Sequence, residues 1–151
     1  QDKLDRDIKY DNKILHQSKL VKYFGNENVP TKKIEKDLNN YLKKVKKSKT
    51  NYLITKDIIL IEAMVSDGIE IKDEYKDLFN SKENTIPTDI QILINDREIG
   101  MAVLRLIEII GQDKIEDLGS ETLYFLINAL NQMNIDPIRN EILYSVLPLR
   151  A

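Results

Sequence analysis

Two glutamates interrupt apolar helical runs: Glu62 within Ile58–Val65 and Glu108 within Ile99–Ile110. A carboxylate among oily neighbours loses hydration, its pKa rises, and it can hold a proton at neutral pH. That is the chemistry of the general acid in glycan-cleaving enzymes. The competing reading is structural: each glutamate sits on a narrow solvent edge or pairs with a neighbour. Arg105 lies three residues before Glu108, within reach on a helix. Helical glycan-cleaving enzymes surround the acid with a Ser- and Asn-bearing signature that is missing here, so the structural reading is the stronger. His16, the single histidine, is a general base by type. No G-x-S-x-G nucleophile elbow accompanies it, and its polar stretch reads as surface.

The third candidate is electrostatic. Lys32–Lys49 holds eight lysines against Glu35 and Asp37. Lys33, Lys36, Lys43, Lys44 and Lys47 form a candidate anion-binding face for the phosphates of nucleic acid or anionic lipid. Aromatic interleaving is limited to Tyr41 and Tyr52, and arginine, the better base reader, is absent there. A solvated helix face is the simpler account, and no specific nucleic-acid partner is expected. Lys, Ile and Asn, all with AT-rich codons, make up 53 of the 151 residues, which explains much of the lysine surplus without function.

With no Cys there is no disulfide framework, thiol nucleophile or thiolate metal site. One His excludes a multi-histidine metal site built from this chain alone. No P-loop, G-x-G-x-x-G, EF-hand loop or H-E-x-x-H occurs. No catalytic residue, metal or cofactor is therefore assigned. The net charge of −2 gives no global attraction to nucleic acid, although residues 1–84 carry 18 basic and 15 acidic groups and residues 85–151 carry 5 and 10. The longest apolar run, Ile58–Val65, is far short of the ~20 residues needed to span a bilayer, so a soluble chain is expected. A start at Gln1 suggests processing or a fragment of something longer.

The elements that must position these residues are helical. One domain is the natural size for 151 residues, and five Gly and four Pro argue against a turn-rich all-β design. Leu4, Ile8, Ile14–Leu15, Leu20–Val21 and Phe24 suggest one or two loose amphipathic helices over residues 2–24, ended by Gly25 in a left-handed conformation. Ile34, Leu38, Tyr41 and Val45 recur at steps of 4, 3 and 4, a surface helix capped by Thr31. Residues 58–65, capped by Thr55 and stopped by Gly68, are apolar nearly all round and belong in the core. A short helix over 71–80 turns Tyr75, Leu78 and Phe79 inward. Asn80–Pro87 is the clearest internal boundary. Thr88-x-x-Gln91 reads as a capping box. Asp96 caps an apolar helix that stops at Gly111, Ser120 caps one that stops at Asn134, and Asp136–Pro137 opens the last.

These segments predict an all-α fold of six to eight helices in antiparallel pairs, with a short HEAT- or TPR-like α-solenoid as one arrangement. Residues 1–52 form an N-terminal layer, loosely packed or bound to a neighbour. Residues 53–151 form the better-packed body, and the two read as one continuous unit. At an offset of 46, Leu60–Ile61–Glu62 aligns with Leu106–Ile107–Glu108, and Asp67, Ile69, Glu70 and Phe79 align with Asp113, Ile115, Glu116 and Phe125. That spacing falls in the range of helical repeats.

The order Leu60–Ile61–Glu62–Ala63–Met64, Asp67–Gly68, Asn95–Asp96–Arg97–Glu98–Ile99–Gly100, Gly111, Asp117–Leu118 and Leu126–Ile127–Asn128–Ala129–Leu130 resembles a known pattern. It is similar to the C-terminal helical region of alphaproteobacterial exported proteins of unknown function, some carrying "antifreeze" names. The resemblance covers residues 58–147. It implies an all-α protein, periplasmic or secreted, with a cytoplasmic location as the alternative, and it transfers no functional residue. The function expected is a non-catalytic protein–protein interaction or scaffold module, with another protein or a second copy as partner. The alternatives are a glycan-acting enzyme using a buried Glu, and an electrostatic nucleic-acid or membrane-surface binder through Lys32–Lys49.

Overall fold

A computed structural model describes residues 7–25, 28–49, 52–79 and 85–150. Over these residues the chain is mostly helical, and helix-on-helix contact makes it an all-α fold. The α-helices are α1 (Thr31–Lys47), α2 (Thr55–Ser66), α3 (Thr88–Asn95), α4 (Ile99–Ile110), α5 (Ser120–Met133) and α6 (Asp136–Val146). Tighter 3-10 segments occupy Leu15–Gln17, Lys19–Gly25, Asp73–Leu78 and Ile115–Asp117. Two-residue strands β1 (Ile8–Lys9) and β2 (Leu149–Arg150) pair antiparallel, Ile8 opposite Arg150.

Helix α2 is the centre because it has no polar face wide enough to meet water. Leu60, Ile61, Ala63 and Met64 are fully buried, and α5 lies along them, burying Leu123, Leu126, Ile127, Ala129 and Leu130. Helix α1 buries the expected stripe, Ile34, Leu38 and Val45, joined by Leu42, while Tyr41 is half-buried. Helix α6 lies against α5 on one side and Lys19–Gly25 on the other. Helix α4 is the outlier. It rests mainly on α3 and buries only Ala102 and Leu106.

Several stops fall where the residue types place them. Gly111 ends α4 at φ 63°, Asn134 ends α5 at φ 56°, and Pro137 sits in the first turn of α6. The starts differ. Thr31, Thr55, Thr88 and Ser120 are each the first helical residue, behind Pro30, Ile54, Pro87 and Gly119, and none makes the expected side-chain cap. The Gln91 amide donates instead to Asn95 Oδ1 (2.9 Å) and to Gln132 Oε1 (2.8 Å), which ties α3 to α5. Asp96 terminates α3 rather than capping α4. At α2, Asp57 accepts the Ile54 amide at 3.1 Å, the acidic half of a capping box.

The N-terminal segment corrects the sequence expectation. In place of an amphipathic α-helix, residues 7–25 form β1 and two 3-10 segments. Side chains supply acceptors that helical carbonyls would otherwise supply. The amide of Leu15 donates to Tyr41 Oη (3.1 Å), that of His16 to Asp57 Oδ1 (3.0 Å) and that of Lys19 to Asn12 Oδ1 (3.1 Å). Nor is this layer loose, since Leu15 and Val21 are fully buried in the same cluster as Leu60 and Leu143. The Gly25 position is set by a close approach instead of a left-handed turn. A Cβ there would lie 2.7 Å from the Tyr144 ring.

The paired 46-residue segments sit in unlike surroundings. Ile61 is buried and Ile107 exposed, and Phe79 follows a 3-10 segment while Phe125 lies within α5. Residues 1–6, 80–84 and 50–51 lie outside the described residues. With them go Leu4 of the expected first helix and most of the Asn80–Pro87 boundary.

Candidate functional site

The two glutamates do not form a pair. Glu62 lies on α2 facing α5, where the Tyr124 hydroxyl donates to its Oε1 at 3.1 Å. Burial pushes its carboxyl above the usual range, and the Tyr124 bond partly offsets this. Glu108 is exposed on α4 and paired with Arg105 Nη1 at 3.2 Å, as the three-residue spacing allows. Neither glutamate lines the cleft of about 550 Å³ beside Thr31–Lys47 or the cleft of about 560 Å³ beside Asp73–Leu78.

His16 is buried, against the expectation of a surface residue. Its Nδ1 lies 2.6 Å from Asp57 Oδ1, both side chains being nearly inaccessible. Burial alone would raise the Asp57 carboxyl. The His16 ring, the Ile54 and His16 amides and the His16 charge outweigh it and hold the carboxyl below the ordinary range. This pair fastens the segment Leu15–Gln17 to the first turn of α2, a structural use of a histidine–carboxylate bond.

A larger polar junction escaped the sequence reading. Arg139 of α6 is fully buried, 0% exposed, and its guanidinium meets Asp67 in a two-point fork, Nη1–Oδ1 2.9 Å and Nη2–Oδ2 2.6 Å. It also donates to Asn131 Oδ1 (3.1 Å) and Asn140 Oδ1 (2.7 Å), and lies 6.0 Å from the Phe24 ring centre. Asp67 in turn accepts the Tyr23 hydroxyl at 2.7 Å, and burial followed by that bond pushes the Tyr23 phenol far up. The ends of α2 and α5, the start of α6 and the Lys19–Gly25 segment thus meet on one cation. The only sequence signal is the polar set Asn131, Asp136 and Asn140 around an Arg in a lysine-dominated chain.

The five lysines of the anion-binding face divide. Lys33 and Lys44, eleven residues apart and so at nearly the same angle on a helix of about 3.6 residues per turn, line a cleft of about 550 Å³ between α1 and the Lys19–Gly25 segment. Lys36, Lys43 and Lys47 are exposed on the next stripe outward and do not line it. Lys19 and Lys22 join the cleft from the opposite wall, which no local charge count reveals.

The outer face of α4 is apolar. Met101, Leu104 and Ile107 are 56%, 56% and 57% exposed, three residues apart along one side of the helix. Beside them Arg105 Nε binds Asp89 of α3 at 2.7 Å, which holds the Asp89 carboxyl below its ordinary range. Among the described residues no helix is long and apolar enough to cross a membrane, and no three His, Cys, Asp or Glu side chains gather as a metal site. Comparison with known proteins finds no significant match to a family model, a curated protein or a solved structure.

Proposed function

We propose that this chain is a non-catalytic helical interaction module whose contact surface is the outer face of α4. The observation that carries the reading is the exposure of Met101, Leu104 and Ile107 in one stripe on a helix that buries only two of its twelve residues. Single exposed apolar residues are ordinary on protein surfaces, but a stripe at helical spacing is the pattern by which helices meet. The face is convex, so it suits a partner helix better than an extended peptide.

A second copy is the occupant this face fits. The stripe is symmetric in character about Leu104. A two-fold axis there sets Leu104 on its equivalent and Met101 on Ile107 of the other chain, the self-complementarity an isologous contact needs. Three half-exposed side chains offer on the order of 300 Å² of apolar surface, well below the about 800 Å² per partner of a stable complex. The association is therefore weak and concentration-dependent. The proposed setting, periplasmic or secreted, rests on the resemblance of residues 58–147 alone.

Sedimentation velocity across a concentration series tests this. The wild-type chain shows a reversible monomer–dimer equilibrium, and Leu104→Ser with Ile107→Ser shifts it to monomer without lowering the melting temperature. A wild type that stays monomeric at its highest soluble concentration, or a double variant that dimerises equally, overturns the proposal.

A further inference from the structure

We infer that the cleft between α1 and the Lys19–Gly25 segment binds a small phosphorylated molecule with an apolar body. One wall is the α1 stripe of Lys33, Asp37, Asn40 and Lys44, and the other carries Lys19 and Lys22. Among the described residues, four lysines line one space with one carboxylate, Asp37, in a chain whose net charge is −2, and one of the four, Lys22, also sets its ammonium 5.4 Å from the Tyr10 ring centre.

Codon bias does not account for this arrangement, because it would load every surface alike. A second cavity of nearly the same size, about 560 Å³, lies beside the Asp73–Leu78 segment and supplies the comparison. Among the described residues it is lined by one lysine, Lys76, with Glu70 and Asp73. The lysines of the first cleft come from separate stretches of the chain, and only tertiary contact brings them together. Two of them flank the start and the later turns of α1, whose first turn holds no acidic residue to balance Lys32 and Lys33.

The chemistry of the lining selects the ligand class. Lysine recognises phosphate as a point charge on a flexible stem, and several around one space suit a group of more than one charge. The hydroxyls present are already committed. Tyr41 Oη donates to the Lys13 carbonyl (3.0 Å) and accepts the Leu15 amide, while Ser18 Oγ donates to the Leu15 carbonyl (2.7 Å) and accepts the Leu20 amide. Beneath the charged rim, Leu20 and Ile34 are buried and Val29 half-buried, so the floor is apolar. A volume of about 550 Å³ is that of a site for a small organic molecule. A long polyanion would instead run along the exposed Lys36, Lys43 and Lys47 stripe. This site shares no helix with the α4 face, and neither inference depends on the other.

The test titrates the full chain with inorganic pyrophosphate and with geranyl diphosphate at low ionic strength, by calorimetry and by amide chemical-shift mapping. The two probes share a head group and differ in the apolar body. Geranyl diphosphate binds about tenfold more tightly or better, because its chain covers the floor, and the shifts cluster on residues 18–22, 33–34 and 40–44. Lys33→Gln with Lys44→Gln weakens it about tenfold, while Lys43→Gln with Lys47→Gln leaves it within about twofold, as a screened surface charge should. All four lysines project from the surface, so circular dichroism confirms that both variants fold. Absence of binding overturns the inference. So do equal losses in the two double variants, no gain from the geranyl chain, or a single-stranded oligonucleotide that competes through the outer stripe, since each assigns the charge to a diffuse surface.

Discussion

Arg139 and Asp67 grip each other end-on through both terminal guanidinium nitrogens and both carboxylate oxygens, 72 residues apart in sequence, with the guanidinium wholly removed from solvent. Taking a guanidinium out of water is costly, and the two-point bond with the added Asn131 and Asn140 acceptors repays it through geometry. The pair is worth little over a well-packed apolar substitute, but a broken pair leaves a buried charge without its counterion.

Asp67→Ala should therefore destabilise the fold by about 3–5 kcal/mol, with Asp136 at 3.5 Å from Arg139 Nη1 softening the loss toward the lower figure. Arg139→Met with Asp67→Ala should cost less than the sum of the single changes, since neither charge is then stranded. Urea titration of the four chains checks both statements.

The Gly25–Tyr144 approach gives a second expectation. Gly25→Ala drives a methyl into the ring, whose atoms would lie at 2.7 and 2.9 Å. The ring must shift, at a cost of about 1–2 kcal/mol. In a Tyr144→Ala background the same change should cost under about 0.5 kcal/mol. Thermal unfolding of the double-mutant cycle separates this clash from any backbone effect of the glycine.

Asp57 and Glu62 titrate in opposite senses. The Asp57 carboxyl is held below its unfolded value of about 3.9 by His16 and the two amides, which outweigh its burial. Its stabilisation is complete above the unfolded pKa and is lost as pH falls through the lower folded one. Asp57→Asn should be less stable than wild type near pH 7, with the gap narrowing below about pH 4. A gap that is constant down to pH 2 would show that the charge is not what matters.

Glu62 runs the other way. Burial raises its folded pKa, so the protein is most stable while this carboxyl is protonated and loses that contribution as pH rises through the folded pKa. Glu62→Gln keeps an acceptor for Tyr124 and cannot ionise. It should raise the melting temperature at pH 7 and leave it nearly unchanged at pH 4. An activity on cell-wall glycans that disappears in this variant would instead restore the enzymatic reading.

What the sequence displays is local periodicity, and the helices that obey it were legible. The α1 stripe, the all-round apolar α2, and the stops at Gly111 and Asn134 follow from side-chain spacing and from residues tolerant of positive φ. Residues 7–25 were not, because apolar spacing alone does not distinguish a helix from successive 3-10 turns whose amides bond to Tyr41 and Asp57, tens of positions away. His16 misled, and Arg139 gave no sign of its burial, for the same reason. A polar residue reads as exposed until its distant partner is known. For the cleft, Lys33 and Lys44 could be named from the charge run, but Lys19 and Lys22 join them only through tertiary contact.

The short β1–β2 pairing has an engineering corollary. Because Ile8 faces Arg150, the two ends of the described fold emerge side by side at a single corner. A brief glycine–serine bridge could join them into a ring, and new ends could then be cut into an exposed turn such as Gln112–Lys114. A dye attached at Lys9 and another at Leu149 would report from that same corner.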